Sequence, residues 1–167
     1  ISKCIPDGNG MYDCFVITNV HVADVPRIYK FTVFTFRNNR KYHEYPAEVS
    51  FLGKNPLKEK DAEDLAVIKF KSPIPYSGFV LPPADYQPKV GSRVNQIGCP
   101  GGVPPPRTLD RPCYIIAVNK YLGPDTITCN VPTEKGRSGG GLFDESGYYI
   151  GTCSTTNDKE SIFTSYK

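Results

Sequence analysis

The chain has 167 residues, the length of a single domain, and a formal net charge of +3 at pH 7. This charge is too small to indicate a nucleic acid or an anionic membrane as a partner, and no apolar run approaches the roughly 20 residues of a membrane-spanning helix. With 15 Gly and 16 Pro the chain is interrupted too often for a helical bundle, while 12% aromatic residues argue against disorder.

Short segments of apolar, β-branched or aromatic residues predict β-strands, because each is bounded by turn signals. In chain order these are Cys14–Val22, Ile28–Phe36, Ala47–Leu52, Leu65–Phe70, Arg93–Gly98, Cys113–Val118, Thr126–Val131, Gly141–Phe143, Tyr148–Ser154 and Ser161–Ser165. Leu57–Glu63 is the one helix candidate. So many short strands predict an all-β fold, either a barrel or a sandwich.

A proline-rich pause at Pro82–Pro88 divides the chain nearly in half. This division is typical of two small barrels joined by a linker. We therefore expect one domain made of an N-terminal barrel over about residues 1–80, a linker over about 81–89 and a C-terminal barrel over about 90–167.

The six cysteines are spaced too widely for a metal site, and the sequence predicts neither a metal nor another cofactor. Cys4 and Cys14 flank Gly8–Gly10 symmetrically, so a hairpin would place them opposite each other as a disulfide. Cys129 and Cys153 could be a second pair or two core thiols. Disulfides fit a secreted or extracytoplasmic protein, and the alternative is a cytosolic domain of a larger or viral polyprotein. Since the chain begins without an initiator methionine, we interpret it as a mature product or an excised domain.

A glycine-rich segment around Ser138 carries the strongest chemical signal. In Gly136–Phe143 the glycines leave the backbone unobstructed, so that successive N–H groups can converge on one point. Converging N–H groups beside a serine hydroxyl would form an oxyanion hole next to a nucleophile. The alternative interpretation is a glycine-rich turn between two strands.

The presence of Ser138 changes the interpretation of His21 and Asp64. Taken singly, His21 at the end of an apolar strand is more readily a core histidine, and Asp64 before another strand is more readily a strand-edge cap. A serine nucleophile, however, needs a general base, and that base needs a carboxylate to orient it. The three residues occur in the order His, Asp, Ser, which is the order of the chymotrypsin arrangement.

These motifs resemble those of the chymotrypsin-like (trypsin-fold) serine peptidases. Thr18–Val22 resembles the family's T-N/A-x-H-V/C segment, Asp64–Val67 its D-L/I-A-V/L segment, and Gly136–Gly140 its G-x-S-G-G segment. Val90–Gly101 and Ser138–Gly151 are similar to two stretches of the HtrA-type branch, apart from one glycine in place of a proline. The resemblance implies two six-stranded antiparallel β-barrels with the active site in the cleft between them.

The resemblance also implies a serine endopeptidase that acts on protein or peptide substrates through an acyl-enzyme. Ser138 would be the nucleophile, His21 the general base and Asp64 its orienting carboxylate. The backbone N–H groups of Gly136 and Ser138 would form the oxyanion hole. Asp61 is the one nearby competitor for the acid role, but it lies outside the D-L-A-V frame.

Substrate would pair as an added β-strand with the segment after the nucleophile, and the first specificity pocket would lie beside Ser138. The implied substrate-binding residues are Thr133, Lys135, Ser154, Thr155 and Thr156. Pro132 stands where trypsin-type enzymes hold an acidic residue, so we expect a small or medium uncharged side chain at P1, the residue before the cleaved bond. An inward-pointing Glu134 would reverse this expectation, and Lys135 at the rim could favour an acidic group.

Arg137 departs from the family pattern. Digestive members carry there the Asp that pairs with a freed N-terminal ammonium, so we expect no trypsinogen-like activation switch. We also expect no PDZ domain within the 167 residues. Fold alone does not decide function, and three alternatives stay open: a catalytically inactive binding module on the same fold, a virus-type polyprotein-processing peptidase, and a structural or redox role for the cysteines.

Overall fold

The computed structural model describes residues 1–24, 30–54, 64–119 and 126–166, and its regular structure is nearly all β. The strands are β1 (Lys3–Pro6), β2 (Tyr12–Thr18), β3 (Phe31–Arg37), β4 (Arg40–Leu52), β5 (Ala66–Ser72), β6 (Arg93–Gly98), β7 (Arg107–Thr108), β8 (Cys113–Val118), β9 (Thr126–Cys129), β10 (Gly141–Asp144), β11 (Tyr149–Thr156) and β12 (Ser161–Ser165). The helical turns are α1 (Val20–Ala23) and a short 3-10 turn at Pro100–Gly102. No helix of the described residues is long and apolar enough to cross a membrane.

Six strands of the C-terminal half close into an antiparallel barrel. The order is β6, β8, β9, β12, β11 and β10, and β10 pairs again with β6, while β7 extends the edge of β6. Buried and exposed residues alternate strictly along β6, because successive side chains of a strand point to opposite faces. The barrel core consists of Val94, Cys113, Ile115, Ile127, Cys129, Val131, Leu142, Ile150, Cys153 and Phe163.

The N-terminal half is a five-stranded antiparallel sheet in the order β1, β2, β5, β4, β3. Among the described residues β1 and β3 are its two edges, so this half has one strand fewer than the resemblance implied. Ahead of α1 the described chain forms the β1–β2 hairpin. The all-β, two-barrel fold class is confirmed, whereas the domain limits at residues 80 and 90 stay a prediction.

The strand predicted over Cys14–Val22 ends at Thr18, and His21 lies in α1 rather than at a strand end. The helical turn is closed by backbone hydrogen bonds from Ala23 N–H to Asn19 O and from Asp24 N–H to Val20 O. The β1 and β7 strands were not predicted. The helix candidate over residues 57–63, and with it position 61, lies outside the described residues.

The predicted disulfide between Cys4 and Cys14 is confirmed. The two residues face each other in the β1–β2 hairpin and their sulfurs are bonded. The other four cysteines are free thiols, and Cys129 and Cys153 are two buried core residues rather than a second pair.

Removing this disulfide should destabilise the fold moderately. Because the bond closes a loop of only about ten residues, we expect the Cys4→Ser, Cys14→Ser double variant to lose about 2–3 kcal/mol of unfolding free energy. Urea unfolding measures the loss, with Cys99→Ser, which removes a free thiol, as the control. A thiol count on unfolded, unreduced protein that differs from four, or peptide mapping that pairs Cys4 elsewhere, would contradict the assignment.

Candidate active site

His21 and Asp64 form a hydrogen-bonded pair. His21 Nδ1 lies 2.7 Å from Asp64 Oδ2, and the His21 backbone N–H donates to Asp64 Oδ1 at 3.2 Å. Because a carboxylate only accepts hydrogen bonds, Nδ1 carries the proton, and Nε2 of the neutral ring has a free lone pair. The His21 side chain is 25% exposed and that of Asp64 2%, so the imidazole faces solvent with the carboxylate behind it.

The sheet explains why residues so far apart in sequence meet. Strands β2 and β5 pair antiparallel over their full length, with Thr18 opposite Ala66, so the end of β2 lies beside the start of β5. Asn19 is fully buried and its Nδ2 donates to the backbone carbonyl of Asp64 at 2.8 Å. This contact ties the start of α1, and therefore His21, to Asp64.

The ionised form of Asp64 is favoured by its hydrogen bonds. Burial raises the pKa of its carboxyl, but the hydrogen bonds from His21 and from Ser154 outweigh burial, so that the pKa lies below its ordinary value. The Ser154 hydroxyl donates to Asp64 Oδ2 at 2.6 Å. The carboxylate is therefore held negatively charged beside the imidazole, where it would stabilise an imidazolium.

Loss of the Ser154 hydroxyl should destabilise the fold more at neutral pH than in acid. Since folding lowers the pKa of Asp64, this group contributes stability that is fully present above about pH 4 and is lost as the pH falls through the folded-state pKa. In Ser154→Ala the folded-state pKa should rise towards the unfolded-state value, so the stability at pH 7 should fall by about 1–3 kcal/mol and the variant should lose less stability than wild type between pH 7 and pH 2. Unfolding free energies between pH 2 and 7 test this, with the exposed Ser146→Ala as control; superimposable curves for Ser154→Ala and wild type would contradict it.

The loop around Ser138 is built on glycines with positive φ. Gly136 has φ +89°, and a Cβ there would lie 2.0 Å from the backbone nitrogen of Gly102; Gly139 has φ +81°, and a Cβ there would lie 2.4 Å from Thr18 Oγ1. Both positions therefore admit only glycine. The loop is joined to β11 by hydrogen bonds from Gly139 N–H to the Cys153 carbonyl and from Cys153 N–H to the Gly140 carbonyl.

Two backbone N–H groups of this loop are free. Within the described residues neither Gly136 N–H nor Ser138 N–H donates a hydrogen bond, although the neighbouring Arg137 N–H donates to Glu134 O and Gly140 N–H to Arg137 O. These two free donors are the pair that the sequence predicts for an oxyanion hole. No hydrogen bond joins the Ser138 hydroxyl to His21, a contact that commonly tightens only when substrate binds.

A cleft of about 460 Å³ brings the predicted site residues together. Its lining contains His21, Asp64, Thr133, Glu134, Lys135, Gly136, Ser138, Cys153, Ser154, Thr155 and Thr156. All catalytic, oxyanion-hole and substrate-binding residues predicted from the sequence are among them. Pro132 is not, and Thr133 occupies the cleft wall instead. Glu134 and Lys135 are exposed.

Four of the predicted substrate-binding residues, Thr133, Ser154, Thr155 and Thr156, carry hydroxyls, and three of these hydroxyls already donate to protein atoms. Thr133 donates to Glu134 O at 3.0 Å, Ser154 to Asp64, and Thr156 to Glu160 O at 3.0 Å. Thr156 Oγ1 also accepts the Thr133 N–H at 3.1 Å, which ties the two walls of the cleft together. These hydroxyls therefore shape the pocket, and the sequence could not show that their protons are engaged.

Several residues that form the site were not predicted from the sequence. Gly101 N–H donates to the Lys135 carbonyl at 2.7 Å and Gly102 packs against Gly136, so the β6–β7 loop supports the Ser138 loop. Cys153, with its pKa raised to about 11 by burial, adds an uncharged thiol to the cleft. The glycine pair after Cys99-Pro100 is the one signal that could have indicated the loop contact. Among the described residues no group of His, Cys, Asp and Glu side chains could hold a metal ion.

Comparison with known proteins agrees with this geometry. The family model for the trypsin-like peptidase domain matches residues 5–151, and no curated protein sequence matches significantly. The protease domain of MamO from Magnetospirillum magneticum (apo form) superposes with a TM-score of 0.68 at 20% identity, covering 90% of this chain and 77% of that one. The Rv3671c protease of M. tuberculosis in an inactive form gives 0.66 at 22% identity, covering 91% and 74%. At these identities the structures establish the fold alone, whereas the family model spans most of the sequence, so the chain belongs to the family of trypsin-like peptidase domains.

Proposed function

We propose that this chain is a serine endopeptidase that uses Ser138 as nucleophile, His21 as general base and Asp64 as orienting carboxylate. The observation that carries the proposal is the 2.7 Å contact between His21 Nδ1 and Asp64 Oδ2 in the same cleft as Ser138. The two free N–H groups at Gly136 and Ser138 support it, because they are the donors that acyl transfer requires. The confirmed disulfide supports placing the protein in an extracytoplasmic compartment.

The proposed reaction has two stages, acylation and deacylation, and in each one His21 takes up a proton and then gives it back. Ser138 Oγ attacks the scissile carbonyl while its proton passes to His21 Nε2, and Asp64 stabilises the resulting imidazolium. The negative oxygen of the tetrahedral intermediate accepts hydrogen bonds from the N–H groups of Gly136 and Ser138. His21 then gives its proton to the nitrogen of the leaving amine as the scissile C–N bond breaks, and the acyl-enzyme remains. Water then attacks the acyl carbon while His21 takes its proton, and the bond from that carbon to Ser138 Oγ breaks as His21 returns the proton to Oγ and the acid is released.

The cleft supports a preference for an uncharged P1 residue. The walls contributed by Thr133 and Cys153 are buried and uncharged, whereas the side chain of Glu134, which also lines the cleft, is exposed to solvent. A P1 Lys or Arg would leave water without a carboxylate partner among these wall residues, which costs free energy. We therefore propose that Thr155 and Lys135 contact the substrate at the rim, while the interior selects a small or medium uncharged side chain.

Peptide-library cleavage tests both the activity and the preference. We expect wild-type protein to cleave after small or medium uncharged residues, with kcat/KM for P1 Lys or Arg lower by at least about 10-fold. Thr133→Asp should raise kcat/KM for substrates with P1 Lys or Arg, because it places a carboxylate in the wall of the cleft. Thr133→Val should not raise it. Wild-type cleavage dominated by P1 Arg or Lys would show that Glu134 points into the pocket and that this preference is wrong.

A catalytically inactive binding module on the same fold is the second candidate. The missing hydrogen bond between the Ser138 hydroxyl and His21 is the observation that favours it. Such a module would bind peptides in the cleft without cleaving them, so that Ser138→Ala would leave peptide binding unchanged and there would be no turnover to lose.

A further inference from the structure

The side chain of Arg137, the residue before Ser138, is buried although it is charged. It is 4% exposed, and its Nη1 donates to the backbone carbonyl of Arg107 at 2.7 Å and its Nη2 to that of Thr108 at 3.4 Å. No ion pair of the described residues includes it, and its Nε has no partner. Burying a guanidinium against carbonyls alone is unfavourable, so stability does not explain its presence.

The side chain of Arg137 passes over Gly98 of β6 to reach β7. Arg107 and Thr108 form β7, which pairs with Gly98 and Ile97 of β6. A Cβ at Gly98 would lie 3.3 Å from both Cβ and Cγ of Arg137, so the glycine leaves room for Arg137 to cross the strand. The guanidinium therefore connects the Ser138 loop to β7, and the start of the side chain packs against Gly98 of β6.

We propose that Arg137 is the positioning residue of the oxyanion loop, which its side chain holds in place through the backbone carbonyls of β7. The inference rests on the proposed peptidase function. The Arg137 N–H donates to Glu134 O at 3.3 Å and its carbonyl accepts from Gly140 N–H at 2.9 Å, so the backbone of Arg137 spans the turn that presents the free N–H groups. A guanidinium carries a rigid fork of donors that fixes direction as well as distance, whereas a lysine ammonium is a point charge on a flexible stem.

The positive charge of Arg137 also acts on two thiols near the loop, those of Cys99 and Cys153. Burial raises the pKa of the Cys99 and Cys153 thiols, and the positive charge of Arg137 partly offsets this rise at both. Cys153 lines the cleft, and Cys99 lies at the end of β6. A buried positive charge felt at both places also favours the negative oxygen of a tetrahedral intermediate, since charges interact more strongly in a poorly polarisable interior.

The test compares Arg137→Met, Arg137→Lys and Arg137→Ala with Arg93→Met, which makes the same change at an exposed arginine of β6. Three quantities are measured for each: kcat and KM on a cleaved peptide, the rate of labelling by a fluorophosphonate, and hydrogen exchange of the peptide covering residues 134–140. Methylguanidinium is then added to Arg137→Ala, because it can occupy the vacated space and restore the two donors.

We expect Arg137→Met to lower kcat and the labelling rate by about 100-fold or more, with KM within about threefold, because misplaced N–H groups weaken binding of the transition state more than of the substrate. Arg137→Lys should be intermediate, Arg93→Met unchanged, and methylguanidinium should restore part of the Arg137→Ala activity. Exchange over 134–140 should rise only in the Arg137 variants. If Arg137→Ala fails to fold, Arg137→Met, which keeps most of the volume, still gives the answer.

Folded Arg137→Met with wild-type kcat, labelling rate and loop exchange would overturn the inference. So would a loss of activity that only matches the loss of folded protein. Wild-type protein that neither cleaves peptides nor reacts with the fluorophosphonate would instead overturn the peptidase proposal, and loop exchange would then decide alone whether Arg137 orders the loop.

Discussion

Ser138→Ala is expected to lower kcat for peptide cleavage by about 10⁶-fold without unfolding the protein. In the proposed mechanism the alanine removes the atom that forms the acyl-enzyme, and His21 and Asp64 would act only through that atom. His21→Ala should cost about as much, and the double variant little more, because residues that act as a unit lose their effect together. Progress curves on a peptide identified by library screening measure these losses.

The control for this loss is Ser146→Ala, which changes an exposed turn serine and should keep wild-type kcat. Ser138→Ala that still cleaves at a rate near that of wild type would exclude Ser138 as nucleophile. Losses that multiply in the Ser138→Ala, His21→Ala double variant would show that the two residues do not act in one mechanism.

Asp64→Asn is expected to lower kcat by about 10⁴-fold, the second largest effect. The Asp64 carboxylate accepts from both His21 Nδ1 and the His21 backbone N–H. An asparagine amide can donate to Nδ1, which would move the imidazole proton to Nε2 and leave no lone pair to take the proton of Ser138. The geometry of the site would persist while its base is lost.

Asp61→Asn is the matched comparison, because Asp61 is the competing acid in the sequence. It should keep wild-type kcat, and circular dichroism should show that both variants are folded. Full activity in Asp64→Asn together with a large loss in Asp61→Asn would transfer the carboxylate role to Asp61.

The residues of the candidate site could be predicted because their motifs are short, local and ordered along the chain. Asp64 and His21 are 43 residues apart, yet each adjoins the end of a strand whose pattern was recognisable, and the antiparallel pairing of β2 with β5 brings those ends together. The symmetric position of Cys4 and Cys14 around a glycine turn likewise predicted their bond. In each case the sequence itself contains both the residue and the element that places it.

Contacts that depend on tertiary packing could not be predicted. Ser154 donates to Asp64 across 90 residues, and Arg137 reaches backbone carbonyls that have no sequence signature. The residues around His21 are β-branched and indicate a strand, but the burial of Asn19 and Val20 turns the chain into α1 instead. Local propensity therefore predicted the wrong conformation around His21, because burial in the core determines the conformation of this segment.

The most direct measurement is the mass of the protein after reaction with a fluorophosphonate, followed by peptide mapping. A serine activated by His21 and Asp64 should gain one phosphonyl group per chain, and the label should lie on the peptide that contains Ser138. Ser138→Ala and heat-unfolded wild type should gain none, because both lack the activated hydroxyl. Folded wild-type protein that gains no label, or gains it on a residue other than Ser138, would contradict the proposal that this cleft is the active site of a serine peptidase.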